Sequence, residues 1–187
     1  SMTFIPMNGL TYDPHPQLNK DNPNVYMSMG ITAENVAKKF NISRKEQQDF
    51  AISSHSKANL ARESNLFDNE IVSITNNDEK INKDGGIRPN TSHEILDGLK
   101  LAFDENGTVT AGTASPLTDG ASAVIVCEEE YAKKNNLNIL ARIKSTAVVG
   151  CPPELMGLGP INASKKALKR ANLSISDIDI VELNEAF

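Results

Sequence analysis

Apolar and small residues recur at helical spacing in the first third of the chain. The stretch "TAENVAKKF" (32–40) predicts a helix that Thr32 caps. In "SRKE", Ser43 and Glu46 have the spacing of a capping box, so a second, longer helix is expected to follow. Small or apolar side chains lie three and four apart along that second helix: Phe50, Ala51, Ser54, Ala58 and Ala61. They predict one narrow face that can pack closely against another element.

Short β-branched runs alternate with helical patterns in the rest of the chain. The predicted strands are "NEIVSIT" (69–75), a short one at 107–110, the apolar run 123–126, "ILARIKSTAVVG" (139–150) and "IDIVEL" (178–183). The predicted helices are "EEEYAKKNN" (128–136) and "NASKKALKRANL" (162–173), the latter with Asn162 as its cap. A strand, a helix and a strand in succession at the end of the chain indicate a parallel crossover, so the fold class is α/β.

Two stretches have no such pattern. Residues 3–30 contain four of the nine prolines, with Asn and Gly between them, and are expected to be irregular. Residues 75–107 are polar, and "NNDEKINKDGG" (76–86) predicts a surface hairpin or loop.

Composition and charge exclude several classes of partner. The 187 residues are 39% hydrophobic and 23% charged, as in soluble globular proteins. The formal net charge is −5 and no cluster of Lys and Arg stands out, so nucleic acid is not an expected partner. No apolar run is long enough to cross a bilayer, and the first residues lack the charged-then-apolar pattern of a signal peptide, so a cytoplasmic location is expected.

The cysteines and histidines show no catalytic or metal-binding spacing. Two cysteines are too few for a disulfide framework or a four-ligand zinc site. Cys127 ends an apolar run and is expected to be buried and inert, whereas Cys151, before two prolines, is expected in a turn. His15, His55 and His93 are expected to have surface or packing roles.

Candidate chemistry lies in two segments. Small residues fill "AGTAS" (111–115), where a ligand can approach the backbone. The chain closes on "VELNEAF", which delivers an Asn, a Glu and an aromatic to the carboxyl end of a predicted strand, where open α/β sheets usually have their sites.

Four stretches in the same order resemble the thiolase family, which cleaves or forms 3-ketoacyl-CoA. They are "MGITAENVAKKFNISRKEQQDFAISSHSKA", "GTVTAGTASPLTDGASAV", "MGLGPINASKKAL" and "VELNEAF". The resemblance implies the α/β/α/β/α thiolase-like fold, here as an internal piece. Residues 3–117 then correspond to the inserted loop domain that covers the CoA, 118–138 to the end of the N-terminal half, and 139–187 to the start of the C-terminal half. The Pro-rich start is more similar to degradative 3-ketoacyl-CoA thiolases, which implies a role in fatty-acid degradation.

The resemblance implies one catalytic residue within the chain. Asn184 matches the Asn that fixes a water hydrogen-bonded to the substrate thioester oxygen; without the motif, a strand-end cap would be the better interpretation. In the family the nucleophilic Cys lies upstream of the matching region, and a His motif and a second Cys motif lie downstream. We therefore expect these 187 residues alone to be inactive.

The binding residues that the resemblance implies are more numerous. Ser115, with Ala111 and Gly112, matches the segment along the pantetheine, for which an ordinary turn is the alternative. Arg88 corresponds to an arginine near the CoA nucleotide, although a solvated loop arginine is an equal alternative. The further CoA-binding positions, of which Phe103 and Met156 fit a plain core equally well, are Met29, Ala102, Phe103, Met156 and Phe187.

Cofactors and partners follow from the same resemblance. CoA and acyl-CoA are substrates, no metal or other cofactor is expected, and the full-length parent is expected to be a homodimer or homotetramer. Ser28-Met29-Gly30 stands where biosynthetic members read His-Met-Gly, which puts short-chain acetoacetyl specificity in doubt. A non-catalytic acyl-CoA-binding relative is the main alternative, and the Asn-Glu-Ala-Phe motif argues against it. A ketoacyl synthase would share the fold but not these motifs.

Overall fold

A computed structural model describes residues 13–118 and 120–187. Six α-helices and one β-hairpin are formed in that part of the chain: α1 (Pro16–Asp21), α2 (Met29–Phe40), α3 (Arg44–Glu63), β1 (Ile74–Asn76), β2 (Glu79–Ile81), α4 (His93–Asp97), α5 (Glu129–Lys134) and α6 (Gly159–Ala171). Short 3-10 helices cover Pro23–Tyr26, Pro153–Leu158 and Ile175–Asp177. The described residues form two compact units: residues 26–116 with 185–187, here the α2–α4 unit, and residues 13–25 with 117–118 and 120–184, here the α5–α6 unit.

The first helix forms where irregular structure was predicted. Its first residue is Pro16, whose fixed φ suits that position, and His15 caps it by accepting a hydrogen bond from the Leu18 amide at Nδ1 (3.3 Å). The prediction is therefore wrong over α1 and Pro23–Tyr26, while residues 3–12 lie outside the described part.

Helix α2 begins earlier than predicted. Ser28 occupies the N-cap position, so Thr32 lies inside the helix, and its hydroxyl donates to the Met29 carbonyl (2.7 Å) instead of capping an amide. The helix ends at Asn41 in the left-handed conformation, which Asn tolerates better than most residues.

Helix α3 has the capping box that the sequence predicts. Ser43 accepts from the Glu46 amide, and the Glu46 carboxylate accepts from the Ser43 amide (2.7 Å). That backbone hydrogen bond, followed by the one from the Ser43 hydroxyl, lowers the pKa of Glu46, because both favour the ionised form.

Helix α4 is tied to α3 by side chains of α3. The guanidinium Nη2 of Arg44 donates to the carbonyls of Leu96 (2.9 Å) and Asp97 (3.1 Å) at the end of α4 and of Leu99 (2.8 Å) just beyond it. Gln48 adds a hydrogen bond to Asp97 (3.0 Å). Two side chains of α3 therefore connect it to the C-terminal end of α4.

A hairpin forms over Ile74–Ile81, which overlaps the stretch 76–86 where a hairpin or loop was predicted. Strands β1 and β2 pair antiparallel, and Asn77 and Asp78 between them both have positive φ (47° and 66°), as the preferred two-residue hairpin turn requires. The predicted strand 69–75 is formed only from Ile74 onward.

Helix α6 starts three residues before its predicted cap. Pro160 is accepted in the first turn because its missing N–H has no helical partner there, so Asn162 lies within the helix and does not cap it. Two hydrogen bonds connect residues 145–148 with α6. Ser145 Oγ donates to the Ala167 carbonyl (2.7 Å), and Lys166 Nζ donates to the Val148 carbonyl (3.0 Å).

The predicted strands 123–126, 139–150 and 178–183 form no ladder within the described residues. A strand needs a neighbour for its backbone groups, and the pairings described are those of the hairpin and a single bridge between Leu101 and Thr110. Apolar side chains in these runs are left open to solvent, with Ile125 and Leu140 each 90% exposed. The parallel crossover predicted at the chain end is therefore not built within the described part.

The buried residues lie mostly in the α2–α4 unit. They include Ala37, Leu96 and Val109, with Thr110 fully buried. Among the described residues, no helix is long and apolar enough to span a membrane.

Candidate active site

The turn that carries the small-residue segment is held by a buried carboxylate. Glu34 of α2 accepts hydrogen bonds from the amides of Thr108 (2.9 and 3.0 Å) and Val109 (2.8 Å) and from the Thr108 hydroxyl (3.1 Å). Glu34 and Val109 are both buried. The carboxylate therefore supplies the partners that these amides would otherwise lack.

The small-residue segment follows as a compact turn. Thr113 Oγ1 accepts from the Thr110 amide (3.1 Å), and Thr110 Oγ1 accepts from the Gly112 amide (3.2 Å). A side-chain carbon at Gly112 would overlap the side chains of Leu96, in α4, and Leu99, just beyond it. Close packing against these two residues therefore favours glycine at this position. Ala111 and Ser115, which are both exposed, flank this turn.

The end of the chain packs on this segment. The Ser115 amide donates to the Ala186 carbonyl (2.9 Å), and the Ser54 hydroxyl of α3 donates to Glu185 Oε2 (2.5 Å). The rings of Phe103 and Phe187 meet edge to face with centroids 5.7 Å apart. Three separate contacts thus hold residues 185–187 against residues 26–116 of the α2–α4 unit.

Two more predicted positions lie beside the aromatic pair. A side-chain carbon at Gly30 would overlap the Phe103 ring, so the first turn of α2, with Met29, runs against that ring. Ala102 and Phe103 also line an open depression formed by residues 100–105. The structure therefore brings together, in one unit, Met29, Ala102, Phe103, Ala111, Gly112, Ser115 and Phe187.

Arg88 lies in the loop after the hairpin, in the same unit. His55 Nδ1 of α3 accepts from the Arg88 amide (3.2 Å), and Thr91 Oγ1 donates to the Arg88 carbonyl (2.8 Å). The Arg88 side chain is exposed and has no hydrogen bond or ion pair within residues 13–118 and 120–187. Its backbone is held, and its guanidinium is open to a ligand.

Met156 and Asn184 belong to the α5–α6 unit. Met156 is 39% exposed at the 3-10 helix before α6. Asn184 is exposed and its side chain makes no hydrogen bond within the described part of the chain, but its peptide bond leads directly into the anchored residue Glu185.

The two cysteines and His93 are not arranged for catalysis. Cys127 is exposed, so its predicted burial is wrong: its run finds no strand partner among the described residues. Half-buried Cys151 precedes the 3-10 helix Pro153–Leu158, as a turn residue would. His93 hydrogen-bonds Gln48 and Asp49 on α3, and contact with the Lys45 ammonium, then with His93, lowers the pKa of Asp49. The described residues hold no cluster of potential metal ligands.

Sequence reasoning missed four residues that build this site: Glu34, Ser54, His55 and Glu185. The sequence predicts Ser54 only as a small residue on a helix face, and His55 only in a surface or packing role. Each acts on a residue distant in the sequence, so no local pattern reveals its partner. The Glu in the Asn-Glu-Ala-Phe motif was the one available signal.

The site and the fold define a protein of the thiolase class. Residues 17–130 match the family described as the thiolase N-terminal domain, and residues 137–187 match the thiolase C-terminal domain. The chain therefore belongs to the thiolase family.

Similar proteins agree with this membership. The chain is 49% identical to the 3-ketoacyl-CoA thiolase of Serratia proteamaculans and 48% to that of Photobacterium profundum, each match covering all of the chain and 49% of the relative. The dimeric peroxisomal thiolase of Saccharomyces cerevisiae matches with a TM-score of 0.89 and 40% identity over 98% of this chain and 47% of that one. Human mitochondrial 3-ketoacyl-CoA thiolase in complex with CoA matches with a TM-score of 0.85 and 43% identity, over 89% of this chain and 42% of that one.

These likenesses confirm the expected thiolase fold. The chain spans about half the length of the curated relatives that it matches.

Proposed function

We propose that the complete reading frame around this chain encodes an acyl-CoA C-acyltransferase that cleaves 3-ketoacyl-CoA with CoA. The observation that carries the proposal is the hydrogen bond from the Ser115 amide to the Ala186 carbonyl (2.9 Å), which brings the pantetheine segment and the Asn-Glu-Ala-Phe motif together. Similar bacterial proteins bearing the name 3-ketoacyl-CoA thiolase support it.

The reaction needs two displacements at an acyl carbon. A cysteine thiolate attacks C3 of the substrate; the C2–C3 bond then breaks, its electron pair forms the enolate of acetyl-CoA, and a general acid protonates C2. The thiol of a second CoA loses its proton to a base and attacks the acyl-cysteine, which releases the shortened acyl-CoA and restores the thiolate. Neither Cys127 nor Cys151 is assigned as the nucleophile.

Within these 187 residues, the proposed roles are binding and oxyanion stabilisation. The Asn184 amide holds a water that donates to the thioester oxygen as negative charge develops there. Ser115 and the backbone of Ala111 and Gly112 meet the pantetheine. Met29, Ala102, Phe103 and Phe187 of the α2–α4 unit and, separately, Met156 of the α5–α6 unit contribute apolar contacts to CoA, and Arg88 meets the nucleotide phosphates. CoA is a substrate here, and no further cofactor takes part.

The domain assignment and the cellular context belong to this proposal. Residues 3–117 form the CoA-covering loop domain, 118–138 the end of one thiolase half, and 139–187 the start of the other. The complete protein acts as a homodimer or homotetramer in cytoplasmic fatty-acid degradation. Its similarity to a dimeric thiolase supports the assembly.

The test is thiolysis by the protein expressed from the complete reading frame. We expect a CoA-dependent loss of 3-ketoacyl-CoA, which mass spectrometry measures. The kcat/KM should be higher for long-chain 3-ketoacyl-CoA substrates than for acetoacetyl-CoA. The 187-residue chain measured in parallel is expected to be inactive and to bind CoA weakly in isothermal titration. CoA binding without thiolysis by the complete protein would favour the alternative, a non-catalytic acyl-CoA-binding protein.

Arg88→Ala in the complete protein is expected to raise the KM for CoA about tenfold, the effect of losing one charge-assisted hydrogen bond of roughly 1.5 kcal/mol. Pantetheine, which lacks the nucleotide, should show an unchanged KM. Lys83→Ala, which removes an exposed positive charge from the same loop, is the matched control. Equal KM changes for CoA and pantetheine would show that Arg88 does not contact the nucleotide.

A further inference from the structure

We propose that Ser54 is a positioning residue for Asn184, acting through its hydrogen bond to Glu185. The proposal rests on the proposed function, because it assigns to Ser54 a part in the reaction for which Asn184 holds the water. Ser54 contacts no reacting atom in this scheme.

The hydrogen bond has the geometry of a strong one. The Ser54 Oγ to Glu185 Oε2 distance is 2.5 Å, at the short limit for a hydroxyl that donates to a carboxylate. Ser54 is half-buried, whereas Glu185 is exposed, so the hydroxyl is the more confined of the two partners. One short polar side chain on a helix thus holds a longer one at the chain end.

The helix that carries Ser54 is well suited to act as a fixed support. Its N-terminus is closed by the Ser43–Glu46 capping box, and Arg44 ties it to the carbonyls at the end of α4. Ser54 lies in the middle of the 20 residues of α3, away from either fraying end. The position of its hydroxyl is therefore set by the α2–α4 unit.

Residues 185–187 each have a separate contact with residues 26–116 of that unit, and the three contacts act on different atoms. Phe187 is held by its ring against Phe103, Ala186 by its carbonyl against the Ser115 amide, and Glu185 by its side chain against Ser54. The Ser54 contact is the one on the residue directly after Asn184. It therefore restricts the backbone from which the Asn184 side chain projects.

Asn184 needs such help because its own side chain has no hydrogen bond within the described residues. When a side chain that holds a water at an oxyanion is displaced, the rate of the chemical step falls steeply. A shift of about 1 Å can lower that rate about 100-fold. A hydroxyl that only decorated the helix surface would instead leave turnover unchanged when removed.

The experiment measures thiolysis by the complete protein with Ser54→Ala, Glu185→Ala and both together. We expect Ser54→Ala to lower kcat about 10- to 100-fold with the KM for CoA within about twofold, since Arg88 is untouched. The double variant should be no slower than Glu185→Ala alone, because both changes remove the same contact. Ser54→Thr, which keeps the hydroxyl, should recover most of the rate.

Ser53→Ala is the matched control, because Ser53 is the exposed neighbour on α3 and its side chain has no hydrogen bond within the described residues. The proposal would be overturned if Ser54→Ala had the same kcat as Ser53→Ala. It would also be overturned if the free-energy effects of Ser54→Ala and Glu185→Ala on kcat were additive in the double variant.

A second measurement separates this proposal from the proposed function. If the complete protein shows no thiolysis, the proposed function fails, and hydrogen exchange at the Ser115 amide still tests the anchor. Exchange at least about tenfold faster in Ser54→Ala than in Ser53→Ala supports the anchor, because the Ala186 carbonyl that pairs with this amide is then released. Equal exchange in the two variants overturns it.

Discussion

Asn184→Ala in the complete protein is expected to lower kcat for thiolysis by about 10²–10³, the usual effect of losing one donor to a developing oxyanion. The Asn184 side chain is exposed and has no hydrogen bond within the described residues, so its removal should leave folding unchanged. The KM for CoA should change little, because the proposed CoA contacts lie on other residues.

The matched control is Asn162→Ala. Asn162 is also exposed, but it lies within α6 and caps nothing, so its replacement should leave turnover unchanged. Equal turnover of a folded Asn184→Ala variant and this control would return Asn184 to the role of an ordinary turn residue.

Glu34→Ala is expected to have the largest effect on stability, lowering the free energy of unfolding by about 2–4 kcal/mol. The change leaves the buried Val109 amide and the Thr108 amide without acceptors and opens a hole beside Gly107. Glu34→Gln keeps one acceptor oxygen and should fall between the wild-type protein and Glu34→Ala. Urea unfolding of the complete protein measures all three.

Glu105→Ala removes an exposed carboxylate with no hydrogen bond or ion pair in the described part, and is expected to change stability by less than about 0.5 kcal/mol. A Glu34→Ala variant as stable as Glu105→Ala would mean that the Thr108 and Val109 amides find other acceptors. The turn that carries Ala111 and Gly112 would then not depend on Glu34.

The sequence indicates the role of Asn184 but not the role of Glu34. Asn184 was predicted from a motif, whereas Glu34 lies in the quoted stretch "TAENVAKKF" without any sign of its partner. The Glu34 carboxylate meets amides that are 74 and 75 residues away along the chain. Spacing within one helix contains no information about such a contact.

The sequence alone determined the features that rest on local interactions. The Ser43–Glu46 capping box joins residues three apart, so its residue types suffice to predict it. The polar stretch 76–86 predicts a hairpin or loop, although the turn at Asn77 and Asp78 itself was not predicted. The long body of α3 is predictable for the same reason, because helical hydrogen bonds join residues four apart. The family resemblance, carried by four ordered motifs, also came from the sequence.

The tertiary structure decided whatever depends on distant partners. The runs 123–126, 139–150 and 178–183 have strand-like composition, yet they form no ladder in the described part, because strand hydrogen bonds must come from another strand. The Ser54–Glu185 hydrogen bond joins residues 131 positions apart. Only folding of the α2–α4 unit brings such groups within hydrogen-bonding distance, since neither side chain carries a local signal of the other.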